Sequence, residues 1–241
     1  MAELKIAWAT HEAAEYACKN WHYSKCLPSG KLVKIGVWED GIYIGVVIFS
    51  RGASPHLLSK YDLTQYEGCE LTRVALTSHK TPVSRIMAIA LKFLRKQSPG
   101  LRIAVSFADP EQGHHGGIYQ ATNWIYTGTS GVTVEYFVRG KWRHVRGAYA
   151  LVKGALDRWP TREREGKHRY VFPLDETIRE KLQSMSKPYP KRKEDKDALK
   201  AEASMRPRST REKGGSSPTL ALQKSPAAHL KRDLKGKVKN G

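Results

Sequence analysis

The chain is 241 residues long and 40% apolar, enough for one hydrophobic core followed by a tail. Forty-two Lys and Arg against 23 Asp and Glu leave a formal charge of +19. That surplus points to a polyanionic partner, nucleic acid first, rather than to a merely basic soluble surface. Three cysteines without a close CxxC pair argue against a disulfide framework or a zinc knuckle, and a charged N-terminus with no run near roughly 18 apolar residues argues against a signal peptide or a membrane span. The expectation is an intracellular, soluble, reduced protein.

Leu4 to Thr10 reads as a strand, and "HEAAEYACKNW" (His11 to Trp21) as a helix with Ala14, Ala17, Cys18 and Trp21 on one face. The next stretch, "NWHYSK", places His22 and Tyr23 where that helix ends. They read either as part of a substrate pocket or as a helix cap. "KIGVWEDGIYIGVVIFS" is a hairpin turning at Asp40-Gly41. Cys69 to Thr77 is a further strand. Arg73 sits in its apolar middle, where an arginine is costly unless paired, so it is either the buried partner of Glu70 or a functional group.

"TPVSRIMAIALKFLRKQSPG" is the clearest helix, with Thr81 predicted as N-cap, Pro82 at the first helical position and a stop at Ser98-Pro99-Gly100. Ser84 and Arg85 fall in its first turn, where open N–H groups suit a phosphate or carboxylate. "LRIAVSFA" is a buried strand whose end sets Ser106 and Asp109 at the carboxyl edge of the sheet, the edge where open α/β sheets bind ligands. "HHGGIYQATNW" is predicted to be a short helix. His115 and Tyr119, four apart, would share a face of it. Asp109 is read as a general base and Tyr119 as a proton donor or orienting group. His114 and His115 share an ion only if that turn is not helical, and no metal is assigned.

"VTVEYFVRGKWRHV" is a second hairpin around Arg139-Gly140-Lys141. Trp142 lies there among Arg139, Lys141, Arg143 and Arg146, either to grip a nucleic-acid groove or as a solvated hairpin packed on the core. "HRYVF" is expected to be an edge strand, and "DETIREKLQSM" a last helix. From Lys187 to Gly241 there are 16 Lys and Arg against 6 Asp and Glu, with one Tyr and no Trp or Phe. A segment of that composition cannot offset the entropy of ordering, so residues 187–241 are expected to be a basic, disordered, nucleic-acid-binding tail behind a catalytic domain of residues 1–186.

"WHYSK", "ELTRVAL", "TPVSRIMAIAL" and "FADPEQGHHGGIYQATNWIYTG" together resemble the Mom DNA-modification family of Mu-type phages, over essentially the whole chain. The resemblance implies a GNAT-like α/β fold: a mixed, largely antiparallel sheet flanked by helices. It implies conversion of adenine in duplex DNA to an N6-carbamoylmethyl (acetamido) derivative, in the host cell cytoplasm, which protects phage DNA from restriction. Carried onto this sequence, it assigns Asp109, Tyr119, Ser106, His22 and Tyr23 to catalysis, and Arg73, Ser84, Arg85 and Asn123 to the donor. Duplex DNA is the implied partner, with tRNA and a homodimer as further options. GNAT enzymes hold coenzyme A pyrophosphate on a glycine-rich loop, whereas "TSHKTPVSR" has no glycine. The donor is therefore either acetyl-CoA or a glycyl group such as that of glycyl-tRNA, some GNAT relatives being aminoacyl-tRNA users. The alternative function is an acyl-CoA-dependent N-acetyltransferase of a protein or small amine that carries a DNA-binding tail.

Overall fold

A computed structural model describes residues 2–191. Five strands open the fold: β1 (Leu4–Trp8), β2 (Leu32–Glu39), β3 (Ile42–Ser50), β4 (Gly68–Leu76) and β5 (Ile103–Ala108). Among them run α1 (His11–Trp21), between β1 and β2, and α2 (Val83–Gln97), between β4 and β5. The second half holds α3 (Gly117–Gln120), β6 (Ile125–Thr129), β7 (Thr133–Val138), β8 (Lys141–His144), α4 (Val145–Val152), β9 (Thr161–Arg164), β10 (His168–Pro173) and α5 (Arg179–Ser184).

Seven strands form one sheet in the order β1-β2-β3-β4-β5-β10-β6. Within the described residues its one parallel pair is β4–β5; every other pair is antiparallel. The mixed, largely antiparallel sheet flanked by helices is thus as expected. The β2–β3 hairpin turns on Asp40 (φ 51°) and Gly41 (φ 79°), the paired positive φ values that match strand twist. One face packs on α2 and α3 through Val47, Phe49, Leu71, Ile86, Met87 and Tyr170. The other carries α1 over Val46, Ile48 and Ala75, and α5 over Ile103, Val105 and Val171.

Four expectations are corrected. Pro82, not Thr81, is the N-cap of α2, and it offers no side-chain bond; Thr81 is diverted because its N–H and hydroxyl both donate to Glu39. The helix at "HHGGIYQATNW" shrinks to Gly117–Gln120, because Gly116 takes φ 88° and starts it late, so His115 and Tyr119 share no helical face. "HRYVF" is no edge strand: β10 lies between β5 and β6, with Tyr170 and Val171 buried on opposite faces. The second hairpin forms as read, but in a separate three-stranded sheet, β8-β7-β9, backed by α4. Of the expected tail, residues 187–190 meet the sheet: Lys187 N–H donates to Tyr126 O, and the Tyr189 hydroxyl to Trp124 O. Residues 192–241 lie outside the described residues.

Candidate active site

Pairing of β4 with β5 runs from Gly68 opposite Ile103 to Leu71 opposite Ser106 and then stops. Beyond that point β4 follows β3 and β5 follows β10, so the two parallel strands part. A fork at the carboxyl ends of parallel strands is a natural ligand site. A cleft of about 700 Å³ opens there. β4 lines it from Glu70 to Leu76, and Phe107, Ala108 and the loop from Gly113 to Tyr119 line it from the β5 side. Trp21, His22 and Tyr23 at the end of α1, His79 and Val83 at the start of α2, and Lys167 complete the lining.

A bulge decides which side chains of β4 meet. Ile48 pairs with Arg73 and Phe49 with Leu71, leaving Thr72 extra. Regular alternation would put Glu70 and Arg73 on opposite faces; the extra residue puts both on the face of α1. Neither is the other's ion-pair partner. Arg73 donates from Nη1 to Thr72 O at 2.7 Å, while its buried Nε has no hydrogen-bond partner. Glu70 accepts a 3.3 Å bond from Ala53 N–H, and burial pushes its carboxyl above the usual carboxylate range. Glu70 is the acid that sequence reasoning had reduced to a structural partner.

On the other face, Ser106 donates to Leu71 O at 2.8 Å, so the Tyr119 hydroxyl, also 2.8 Å away, donates to Ser106. Burial pushes Tyr119 up to about 12, which keeps it protonated. The cleft thus passes through the sheet, with Tyr119, Val74 and Val83 on one side and Glu70, Arg73 and Phe107 on the other. The loop before α3 is held from beneath: the Tyr170 hydroxyl donates to His115 O at 2.5 Å, and Gln120 Nε2 reaches the same oxygen at 3.2 Å. A Cβ at Gly116 would lie 2.3 Å from the Tyr170 ring, so only glycine fits there.

His22 Nδ1 lies 2.8 Å from Ser24 Oγ and accepts the Ser24 N–H at 3.1 Å, which leaves the ring proton on Nε2. Burial, reinforced by Arg73, His114 and Lys25, lowers its pKa to about 4. His22 is therefore a neutral hydrogen-bond donor near pH 7. The ring of Tyr23 lies 4.3 Å from that of His22 and 5.4 Å from that of His114. A consequence for stability follows. Between pH 6.5 and about 4 the unfolded histidine takes up a proton that the folded one resists, so stability falls as pH drops through that window. Denaturant melts across it should show a shallower slope for His22→Gln; an identical slope would mean that His22 titrates freely in the fold.

Asp109 is engaged. Its Oδ2 lies 2.5 Å from Arg164 Nη2 and 3.4 Å from Lys167 Nζ, and its Oδ1 accepts the Glu111 N–H. Arg164 also pairs with Glu111 and Glu135, and Arg162 with the same two acids. This network ties the small sheet to the end of β5. Sequence reasoning missed it, because "TRER" reads as a solvated charged run.

The start of α2 differs from an open anion site. Glu39 accepts the N–H groups of Lys80 and Thr81, each at 2.8 Å, so a carboxylate of the chain already fills the preceding loop. Ser84 and Arg85 lie in the first turn of α2 as predicted, yet Val83 is the residue of that turn that lines the cleft. Asn123, at φ 59°, sits in the exposed turn before β6 and is not part of the lining. Arg139 is at the β7–β8 turn, Lys141, Trp142 and Arg143 are on β8, and Arg146 begins α4; all but the half-buried Arg143 are exposed. The turn holding His114 and His115 is not helical, and among the described residues no group of three or more His, Cys, Asp or Glu is placed to hold a metal. No described helix is long and apolar enough to cross a membrane.

The sequence model of the Mom protein family matches residues 3–191. A curated relative, the methylcarbamoylase mom of Escherichia phage Mu, is 27% identical over 204 residues, covering 78% of this chain and 84% of its own length. Among solved structures, an aminoglycoside acetyltransferase in complex with coenzyme A is similar at TM-score 0.46 and 8% identity, over 75% of this chain and 99% of its own. FeeM, an N-acyl amino acid synthase from uncultured soil microbes, is similar at TM-score 0.44 and 8% identity, over 77% and 95%.

Proposed function

The chain belongs to the Mom protein family, and on that premise we propose that it is a DNA-modification enzyme that places a carbamoylmethyl (acetamido) group on N6 of adenine in duplex DNA. The observation that carries the reading is the cleft through the β4–β5 fork. Glu70, made more basic by burial, and Arg73, with an unpartnered buried donor, share one face of it.

The amino nitrogen of adenine is a poor nucleophile, its lone pair delocalised into the ring. A positioned acceptor that takes its proton as the bond to carbon forms contributes about 10²–10⁴-fold. Asp109, read from sequence as that base, has its charge committed to Arg164 and Lys167. Glu70 makes no ion pair within the described residues, so the role of proton acceptor passes to it. Tyr119, whose proton is committed to Ser106, orients by accepting; His22 Nε2–H donates; Arg73 holds the anionic part of the donor. N6 lies inside a stacked duplex, so the base must be flipped out at a cost of a few kcal/mol. The basic hairpin offsets that cost through phosphate contacts.

The donor we favour is a glycyl group, such as that of glycyl-tRNA, followed by a rearrangement, since CH2-CO-NH2 has the atoms of a glycyl residue. Glu39 supports this choice, because it fills with its own carboxylate the loop where a pyrophosphate would seek N–H groups.

The test is mass spectrometry of nucleosides from DNA of cells expressing wild type or Glu70→Gln. A modified adenosine is expected with wild type and a loss of 100-fold or more, ~10²–10⁴ by the base contribution, with the variant. The variant should melt no lower at neutral pH. Glu70's raised pKa means the folded state prefers the neutral acid, so its charge destabilises the fold above the ordinary carboxylate pKa, and a neutral amide removes that burden. Modification by both proteins would remove Glu70 from the mechanism; modification by neither would overturn the activity.

A further inference from the structure

The small sheet presents a surface that the cleft does not use. β7 and β8 pair with Phe137 opposite Trp142, and β9 sets Arg162 opposite Glu135. Pleat alternation puts Glu135, Phe137, Trp142 and Arg162 on one face. The Arg162 guanidinium is fixed there, with Nε and Nη2 at 2.9 and 2.6 Å from Glu135 Oε2. It lies 4.9 Å over the Trp142 ring. The Phe137 ring is 5.2 Å from Trp142, and the two side chains remain 38% and 37% exposed. Exposed aromatic rings cost hydration unless something covers them. The surroundings say what: from Tyr136 to Leu156 there are five Lys and Arg and no acid. Glu135, the acid on this face, is 7% exposed and bound to Arg162 and Arg164. A second copy of this chain, itself at +19, would be repelled. A ligand with flat π faces and a phosphate backbone fits.

We propose that Phe137, Trp142 and Arg162 form a stacking platform for an unstacked nucleobase of DNA, with Arg139 and Lys141 on the flanking phosphates. The inference rests on the DNA-modifying reading and extends it. Withdrawing an adenine from the duplex leaves its former partner and neighbours without a full stack, and a ring-and-guanidinium surface covers such a base whatever its identity. The platform is joined to the cleft through Arg162 and Arg164, which bridge Glu135 to Glu111 and Asp109.

The experiment measures binding of the full chain, by fluorescence anisotropy over a salt series, to a single-stranded oligonucleotide, a fully paired duplex and the same duplex with one unpaired base. Trp142→Ala is expected to weaken the first and third by about 5- to 150-fold, the usual loss for one base stack. It should leave the paired duplex and the slope of log K against log salt nearly unchanged. Trp142→Phe should restore most of the loss. Lys141→Ala should weaken all three alike and flatten the slope by about one phosphate. Equal loss on paired and unpaired DNA, no loss at all, or a change in oligomeric state on sedimentation with Trp142→Ala would overturn the platform. Wild type that binds no DNA would instead defeat the functional reading beneath it, and wild type that modifies DNA while Trp142→Ala keeps full affinity would sink the platform alone.

Discussion

Arg73→Met is expected to lose modification by about 100- to 1,000-fold, the usual cost of removing a donor aimed at developing or transferred charge, while the protein melts no lower than wild type. Few substitutions should part activity from stability so cleanly. Arg73 makes one hydrogen bond, to the carbonyl of its own neighbour Thr72, and its buried Nε has none. A buried donor without a partner costs about 1–3 kcal/mol. Methionine keeps the length and apolar stem and removes that penalty. A residue that weakens the fold it sits in persists for its work on a ligand, and the cleft wall is where that ligand meets it. Thermal melts and nucleoside mass spectrometry on the same preparation check both halves. A variant that unfolds would make Arg73 a structural residue; one that is stable and active would leave the donor without this anchor. An internal check exists as well. The His22 pKa is lowered first by burial and next by Arg73, so the variant should move the acid limb of the stability curve toward the ordinary histidine value.

The parts of this molecule that were legible in sequence are those set by local rules. The Asp40-Gly41 turn, the 3.6-residue period of α1 and α2 and the crowding of polar groups after β5 all announce themselves within a dozen residues. What stayed hidden depends on partners far along the chain. β10 is flanked by strands that end some 40 to 60 residues earlier, so nothing in "HRYVF" marks it as central. The bulge at Thr72 has no glycine to betray it, yet it alone brings Glu70 beside Arg73. Glu39 ends a hairpin strand and looks solvated; its N–H partners are 41 and 42 residues away. Asp109 was legible as important and misjudged as free, because its counter-ion Arg164 is 55 residues on, in a strand of four residues with three charges. Chemistry at a strand end is thus visible from sequence, whereas its state of pairing is not.

Asp109→Ala is expected to cost the fold heavily and, through the fold, the activity. Breaking a buried ion pair by removing one partner typically costs about 3–5 kcal/mol, because the other charge is left uncompensated. Arg164 keeps Glu111 and Glu135, which places this case at the low end of that range; the lost cap on Glu111 N–H adds about 1 kcal/mol. The same pairing says what kind of residue Asp109 is. If it fastens the small sheet to the end of β5, Arg164→Met should reproduce most of its effect. The double variant should then be little worse than either single one, since both substitutions remove one shared contact. If Asp109 were the proton acceptor, the outcome would differ in sign as well as size. Arg164→Met would leave a carboxylate freed of its strongest counter-charge and therefore more basic, and the rate at low pH would change, while Asp109→Ala and Asp109→Asn would be equally dead. Melts and pH–rate profiles of the four proteins in the cycle decide between these. Additive losses in stability, or activity that survives Arg164→Met but not Asp109→Asn, would return Asp109 to the chemistry and take Glu70 out of it. Coupled losses would leave the fork of β4 and β5 with Glu70 as its base and Asp109 as the clasp that keeps the DNA-facing sheet in reach of it.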